Sequence, residues 1–154
     1  DEVYGLYAEG TAIGTVNAAI SRESGSGTRG AFDELVKNSE GKTLDKAESF
    51  AKCVQTQNST GAVITQISTA GNTNLIGYIS LGSLSEKVKA LKYNGVEATV
   101  ANIESGAYKL SRPFLLLSKE GKTLSEAAQK FHDFIFSAEG QAIVEKDGYI
   151  KAVK

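Results

Sequence analysis

The stretch SRESGSGTR, Ser21 to Arg29, governs how the rest of the chain is read. Nine residues hold two arginines, three serines, two glycines and a threonine. An apolar run, VNAAI from Val16, precedes it, and Thr28 to Lys37 follows with Phe32, Leu35 and Val36 on one helical face. That order predicts a strand, a glycine-rich turn and a helix. The turn then lies where the first N–H groups of the helix lack internal partners and the helix dipole is positive. An anion fits there. Gly25 and Gly27 let the backbone curl closely around it. Ser26 and Thr28 add hydroxyl donors, and Thr28 is the expected N-cap. Arg22, on the strand side, offers two parallel N–H bonds to a tetrahedral oxyanion.

Three other readings compete. Gly25 to Gly30 matches the dinucleotide pattern G-x-G-x-x-G, which would make the chain a nucleotide-dependent enzyme. That pattern wants its first glycine directly after the strand, and here Ser21 to Ser24 intervene. It also wants an acidic residue at a strand end about 20 positions on, where Asp45 falls in a helix-like segment. A P-loop needs Gly-Lys-Ser/Thr, and Gly27 is followed by Thr28-Arg29. The third reading is a merely capped and solvated turn, which Arg22 just ahead of it disfavours.

Working outward, the 154 residues suit one domain able to bury roughly 70% of its unfolded surface. A net charge of −1 gives no general pull toward nucleic acid or anionic lipid, so an anion site must be built from local donors. No apolar run approaches the ~18 residues of a membrane span, and no basic start with an apolar stretch marks a signal peptide. The absence of methionine and the start at Asp1 lead to the expectation of a processed or cut chain. Cys53 is the one cysteine and reads as a small buried hydrophobe, so neither an internal disulfide nor a zinc site is expected. His132, the one histidine, sits off its helix's apolar stripe and reads as solvated; no catalytic residue and no metal site are expected. Tyr78, Tyr108 and Phe114 read as core or cleft-edge packing.

Residues 1–14 show no clear period. Leu44 to Ala51 suggests a short helix, then an extended CVQTQ. Ser59 caps a helix through Ala70, with Val63, Ile64 and Ile67 on one face and Gly71 as the stop. LIGYISL, Leu75 to Leu81, reads as a strand with a kink or close approach at Gly77. Val88 to Val100 reads as a hairpin turning at Asn94-Gly95. RPFLLLS, Arg112 to Ser118, reads as a strand. Thr123 is the expected cap of a helix with Ala127, Ala128, Phe131, Phe134 and Ile135 on its face. A last helix from Ala138 carries Ile143 and Val144 and stops near Gly148. Alternating strands and helices imply an α/β domain with a mixed sheet flanked by helices.

R-x-x-G-S-G-T after a strand resembles the phosphate-binding proteins of ABC-type phosphate transporters, the PstS family. AFDEL, NSTGAVITQIS, NLIGYISLGSL, VKALKYNGVEATVANIESGAYKLSRPFLLLSKE and FIFSAEGQAIVEKDGYI resemble its consecutive segments, from about Val16 to the C-terminus. The resemblance implies a lobe of the periplasmic-binding-protein type II kind and a non-catalytic role without a cofactor. Arg22, Ser26, Gly27 and Thr28 would bind inorganic phosphate: Arg22 by charge, Ser26 and Thr28 by hydroxyl and backbone, Gly27 by its N–H. It implies an extracytoplasmic protein, lipid-anchored through a segment outside this chain and delivering to the transporter's membrane subunits. About 15–83 would form the phosphate-loop lobe, 84–111 a hairpin and connection, and 112–154 the strand and helices that pack on the other lobe.

Two departures qualify the resemblance. Ser24 stands where many relatives carry an aspartate that orients the arginine, leaving Glu23 or Glu34 to substitute. The family's first segment has no counterpart, so its second serine/threonine loop and its proton-accepting carboxylate are expected to be missing. Four charge-assisted contacts at ~1.5–3 kcal/mol each, less the cost of association, predict roughly millimolar binding by this chain alone. An apolar surface near Phe114, Leu116 or Phe131 is expected to favour self-association. A structural or sensory module that kept the fold and lost the ligand is the remaining alternative.

Overall fold

A computed structural model describes residues 1–69 and 71–152. The chain divides into two compact units, Asp1–Arg112 and Pro113–Lys154.

The first unit is built on a three-stranded parallel sheet. Its strands are β1 (Ala18–Arg22), β2 (Val54–Gln57) and β3 (Leu75–Gly77), in the order β2-β1-β3. Ala19 pairs with Val54 on one side of β1 and Ala18 with Leu75 on the other. Antiparallel pairing among the described residues is confined to isolated bridges such as Ile13 with Val16. Parallel strands need crossovers, and helices α2 (Gly27–Leu35) and α3 (Thr60–Ser68) provide them. Because side chains alternate across a strand, neighbouring residues of β1 serve different helices. Ala19 packs in the buried cluster with Phe32 and Val36 at the α2 side. Ile20 faces the α3 side, where a Cβ at Gly77 would sit 3.1 Å from Val63, 3.0 Å from Ile67 and 3.4 Å from Ile20. Gly77 is therefore the expected close approach.

The same cluster contains Tyr4, Leu6 and Tyr7. They come from an N-terminal helical segment, α1 (Glu2–Tyr4), continued by a wider π-type turn, Gly5–Glu9, and ended by Gly10 at φ 80°. Residues 1–14, which showed no period in sequence, thus supply three of the core's large side chains. Tyr7 donates its hydroxyl to the Ile20 carbonyl at 2.9 Å, and its ring lies 4.9 Å from Phe32. Cys53 packs half-buried against the cluster as a small hydrophobe, its thiol directed at the Leu6 carbonyl.

Several expected elements are shorter or differently started. The helix after Ser59 ends at Ser68; Ala70 lies outside the described residues. The segment 44–51 makes only a 3₁₀ turn, Leu44–Lys46, held by buried Leu44. Asn94 and Gly95 do form the left-handed turn, at φ 50° and 79°, but only Tyr93 and Val96 pair across it. Thr99 then caps a short helix, α4 (Val100–Glu104).

In the second unit, Ser125 rather than Thr123 caps α5 (Glu126–Ile135), accepting from the Ala128 N–H. Ser137 caps α6 (Ala138–Lys146), which is followed by Gly148 at φ 77°. Residues 112–118 form no strand, and Phe114 is 88% exposed rather than packed. Apolar β-formers become a strand only when a neighbour pairs with them, and none among the described residues does.

Candidate functional site

The sheet order places a switch in direction between β1 and β3, at their carboxyl ends. From β1 the chain crosses to β2 on one side; from β2 it returns past β1 to β3. Successive right-handed crossovers in opposite directions send α2 and α3 to opposite faces. The crevice between the two strand ends is where open α/β sheets bind ligands. Arg22, the last residue of β1, stands in register with Gln57, the last of β2.

The loop between Arg22 and α2 is tightly wound. The Ser26 N–H donates to the Glu23 carbonyl at 3.2 Å, closing a turn whose third residue, Gly25, has φ 88°. A left-handed residue at that place suits glycine. Ser26, not Thr28, is the N-cap: its Oγ accepts from the Arg29 N–H at 3.3 Å and its carbonyl from the Gly30 N–H at 3.0 Å. Ser26 has the extended backbone that a cap requires, whereas Thr28 is already helical. The Ser26 N–H is therefore spent on the protein, against the expectation that it would donate to a ligand. The Gly27 and Thr28 N–H groups have no acceptor among the described residues.

Arg22 is nearly buried and ordered by two partners. Its Nε and Nη2 donate to the two carboxylate oxygens of Glu23 at 2.7 and 2.9 Å, and its Nη1 donates to Thr60 Oγ1 at 2.9 Å. The arginine's orienting carboxylate, left open between Glu23 and Glu34, is Glu23. The Arg22 hydrogen bond holds that carboxyl below its usual range. A guanidinium has five N–H donors. Three are used, leaving one on each terminal nitrogen. Thr60 comes from the first turn of α3, so Arg22 links the end of β1 to the helix that follows β2.

Residues not foreseen complete the frame. Arg29 donates from Nη1 to the Arg22 carbonyl at 3.1 Å and from Nε to Asp33 at 3.1 Å, and its guanidinium lies 4.8 Å over the Phe50 ring. Tyr78 accepts the Arg22 N–H at 3.1 Å, shares a 2.8 Å hydrogen bond with Ser21, and stacks on Phe32 at 3.9 Å. Burial pushes the Tyr78 hydroxyl's pKa up, so it stays a neutral partner. Arg112 donates to the Gly27 carbonyl at 2.8 Å. These partners meet only through space; no local spacing announces them. Asp45, which the dinucleotide reading needs at a strand end, lies in the turn ahead of β2 and pairs with Lys46 at 2.9 Å. No group of three or more metal-binding side chains occurs among the described residues, and no helix there is long and apolar enough to cross a membrane.

Comparison with known proteins gives this geometry a context. Residues 4–139 match the model of the PBP superfamily domain. The chain is 50% identical over 141 residues to phosphate-binding protein PstS 2 of Streptococcus agalactiae, covering 89% of this chain and 46% of that protein. It is 43% identical over 142 residues to PstS 2 of Streptococcus pneumoniae. The chain spans about half the length of the curated relatives it matches. Among solved structures it resembles a protein described as a phosphate ABC transporter substrate-binding protein, with bound phosphate, from Clostridium perfringens. There the TM-score is 0.79 at 38% identity, covering 98% of this chain and 61% of that one. A phosphate-binding protein from Streptococcus pneumoniae superposes with TM-score 0.72 at 43% identity over 89% of this chain and 52% of that one. With the family match running over most of its length, the chain belongs to the PBP superfamily, and the relatives it matches are PstS phosphate-binding proteins.

Proposed function

We propose that the loop from Arg22 to Thr28 binds inorganic phosphate. One observation carries the reading: the Gly27 and Thr28 N–H groups, without protein acceptors among the described residues, lie one loop away from a guanidinium with two unspent donors. The Ser26 and Thr28 hydroxyls add donors at the same turn. A ligand made almost wholly of acceptor oxygens matches that set. The relatives' names and the bound phosphate in the Clostridium perfringens protein support it.

In this reading the chain is a solute-binding component with no catalytic step, working outside the cytoplasm and handing phosphate to the membrane subunits of an ABC transporter. A lipid anchor outside this chain holds it at the membrane. Residues about 15–83 carry the phosphate loop, and 112–154 the segment with helices α5 and α6 that packs elsewhere in the whole protein. The exposed run Phe114 to Leu117 favours self-association of this chain.

Titration with sodium phosphate, followed by amide resonances, tests the site. Binding with a Kd of roughly 1 mM is expected, with the largest shifts at Gly27 and Thr28. Arg22→Lys keeps the charge but loses the fork, and weakens binding about tenfold. Amides of residues 25–30 that stay unmoved at saturating phosphate would refute the reading.

A further inference from the structure

Arg112 is the last residue of the first unit and lies 85 positions from the loop it touches. It is anchored from its own side, since Leu110, two residues earlier, packs against the buried cluster. Its Nη2 donates to the Gly27 carbonyl at 2.8 Å, and its Nη1 faces Glu34 at 3.4 Å. The carbonyl it holds belongs to the peptide group whose nitrogen is that of Thr28. In one planar unit, then, the oxygen accepts from a cation while the N–H opposite has no acceptor among the described residues.

A peptide group is a resonance dipole. A charged donor on its oxygen draws electron density from the nitrogen and makes the N–H a stronger donor, as hydrogen bonds in a chain polarise one another. The contact also fixes the plane of the peptide, and with it the direction of the Thr28 N–H. The carbonyl of the first helical residue has its own intrahelical duty, and its second lone pair is free to accept Arg112 without breaking the helix. Glu34 holds the guanidinium over this carbonyl and offsets part of its charge, so the effect passes mainly through the shared peptide.

We infer that Arg112 is a positioning residue of the anion loop, acting through the Gly27–Thr28 peptide to aim and polarise the Thr28 N–H toward a phosphate oxygen. The inference rests on the phosphate reading of the loop and adds to it a residue outside the glycine-rich motif.

The test compares the full 154-residue chain with its Arg112→Gln and Arg112→Lys variants, each titrated with sodium phosphate and followed by amide resonances. In the free state, Arg112→Gln should move the Thr28 amide proton upfield while distant amides stay in place. Its phosphate affinity should fall about threefold to tenfold, with Arg112→Lys in between, because lysine keeps a charged donor without the fork. The melting temperatures of all three should agree, since Arg112 is 44% exposed at its side chain. A wild-type chain indifferent to phosphate would sink the phosphate reading, and the inference with it. A wild-type response that Arg112→Gln reproduces in full, with an unmoved Thr28 amide, would overturn the inference alone. So would a loss of affinity that follows a fall in melting temperature.

Discussion

The two units of this chain carry similar apolar patterns and use them differently. In the first, Phe32 of α2 and Val36 just past its end face a sheet and Tyr4, Leu6 and Tyr7, and all are buried. In the second, α5 has a marked apolar face, yet Phe131 is 65% exposed, and Phe114 to Leu117 lie open to solvent. Gly140 is the one buried residue among those described in that unit. An amphipathic period states which face a helix needs to bury; it does not supply the surface that buries it. Most helical stability comes from that second surface.

The sharpest way to break the comparison is to truncate a large side chain in each unit. Leu6→Ala removes a side chain with no exposure from the cluster under the sheet and should cost about 3–4 kcal/mol in urea unfolding. Phe114→Ser should change unfolding by less than about 0.5 kcal/mol, because its ring is already in water. The same substitution should lower self-association in sedimentation. Equal costs at the two sites would mean the units are not as different as their burial suggests.

Gly140 is the exception that sharpens the contrast. A Cβ there would collide with the Phe134 carbonyl oxygen and lie 2.9 Å from that of Ile135. Both are backbone atoms at the corner between α5 and α6, so neither can swing aside as a side chain would. Gly140→Ala should cost about 1–3 kcal/mol, read as a loss of helical ellipticity and faster proteolysis between 136 and 146. A neutral result would show that the corner opens freely and that the second unit has no packed centre.

How much of this was legible in sequence depends on the distance over which each feature is decided. The strand–turn–helix of Val16 to Lys37 is local and was readable, as were the Ser59 cap, the close approach at Gly77 and the stop at Gly148. The cap at Ser26 was misplaced by two residues because Ser26 and Thr28 offer the same chemistry, and only the backbone angles choose between them. The N-terminal segment was missed because a π-type turn through Gly5–Glu9 spoils the 3.6-residue period that marks a helix. RPFLLLS has the composition of a strand, but pairing is non-local and composition cannot provide it. In the site, the loop residues were visible as a motif. Glu23 was one of two choices, and Thr60, Arg29 and Arg112 are 38, 7 and 85 residues away from the atoms they hold.

The smallest expected effect concerns the frame that ties the first unit's loop to its core. Asp33 is a buried residue of α2, with Oδ2 accepting from Arg29 and Oδ1 without a partner among the described residues. Burial raises its pKa, and the Arg29 hydrogen bond and charge offset only part of that. The folded state therefore holds the Asp33 proton to higher pH than the unfolded chain does. Its linked contribution favours folding below the unfolded carboxylate value and is lost as pH rises through the raised folded value. Asp33→Asn removes the titration while keeping shape and one acceptor for Arg29. Relative to the wild type, the variant should gain stability as pH climbs through the carboxylate range, with no further change above it. Denaturant midpoints taken at a series of pH values give the difference curve directly. A curve of opposite slope would mean that the Arg29 pairing outweighs burial at Asp33, and the anion loop would then be braced by a favourable ion pair rather than by packing around a costly one.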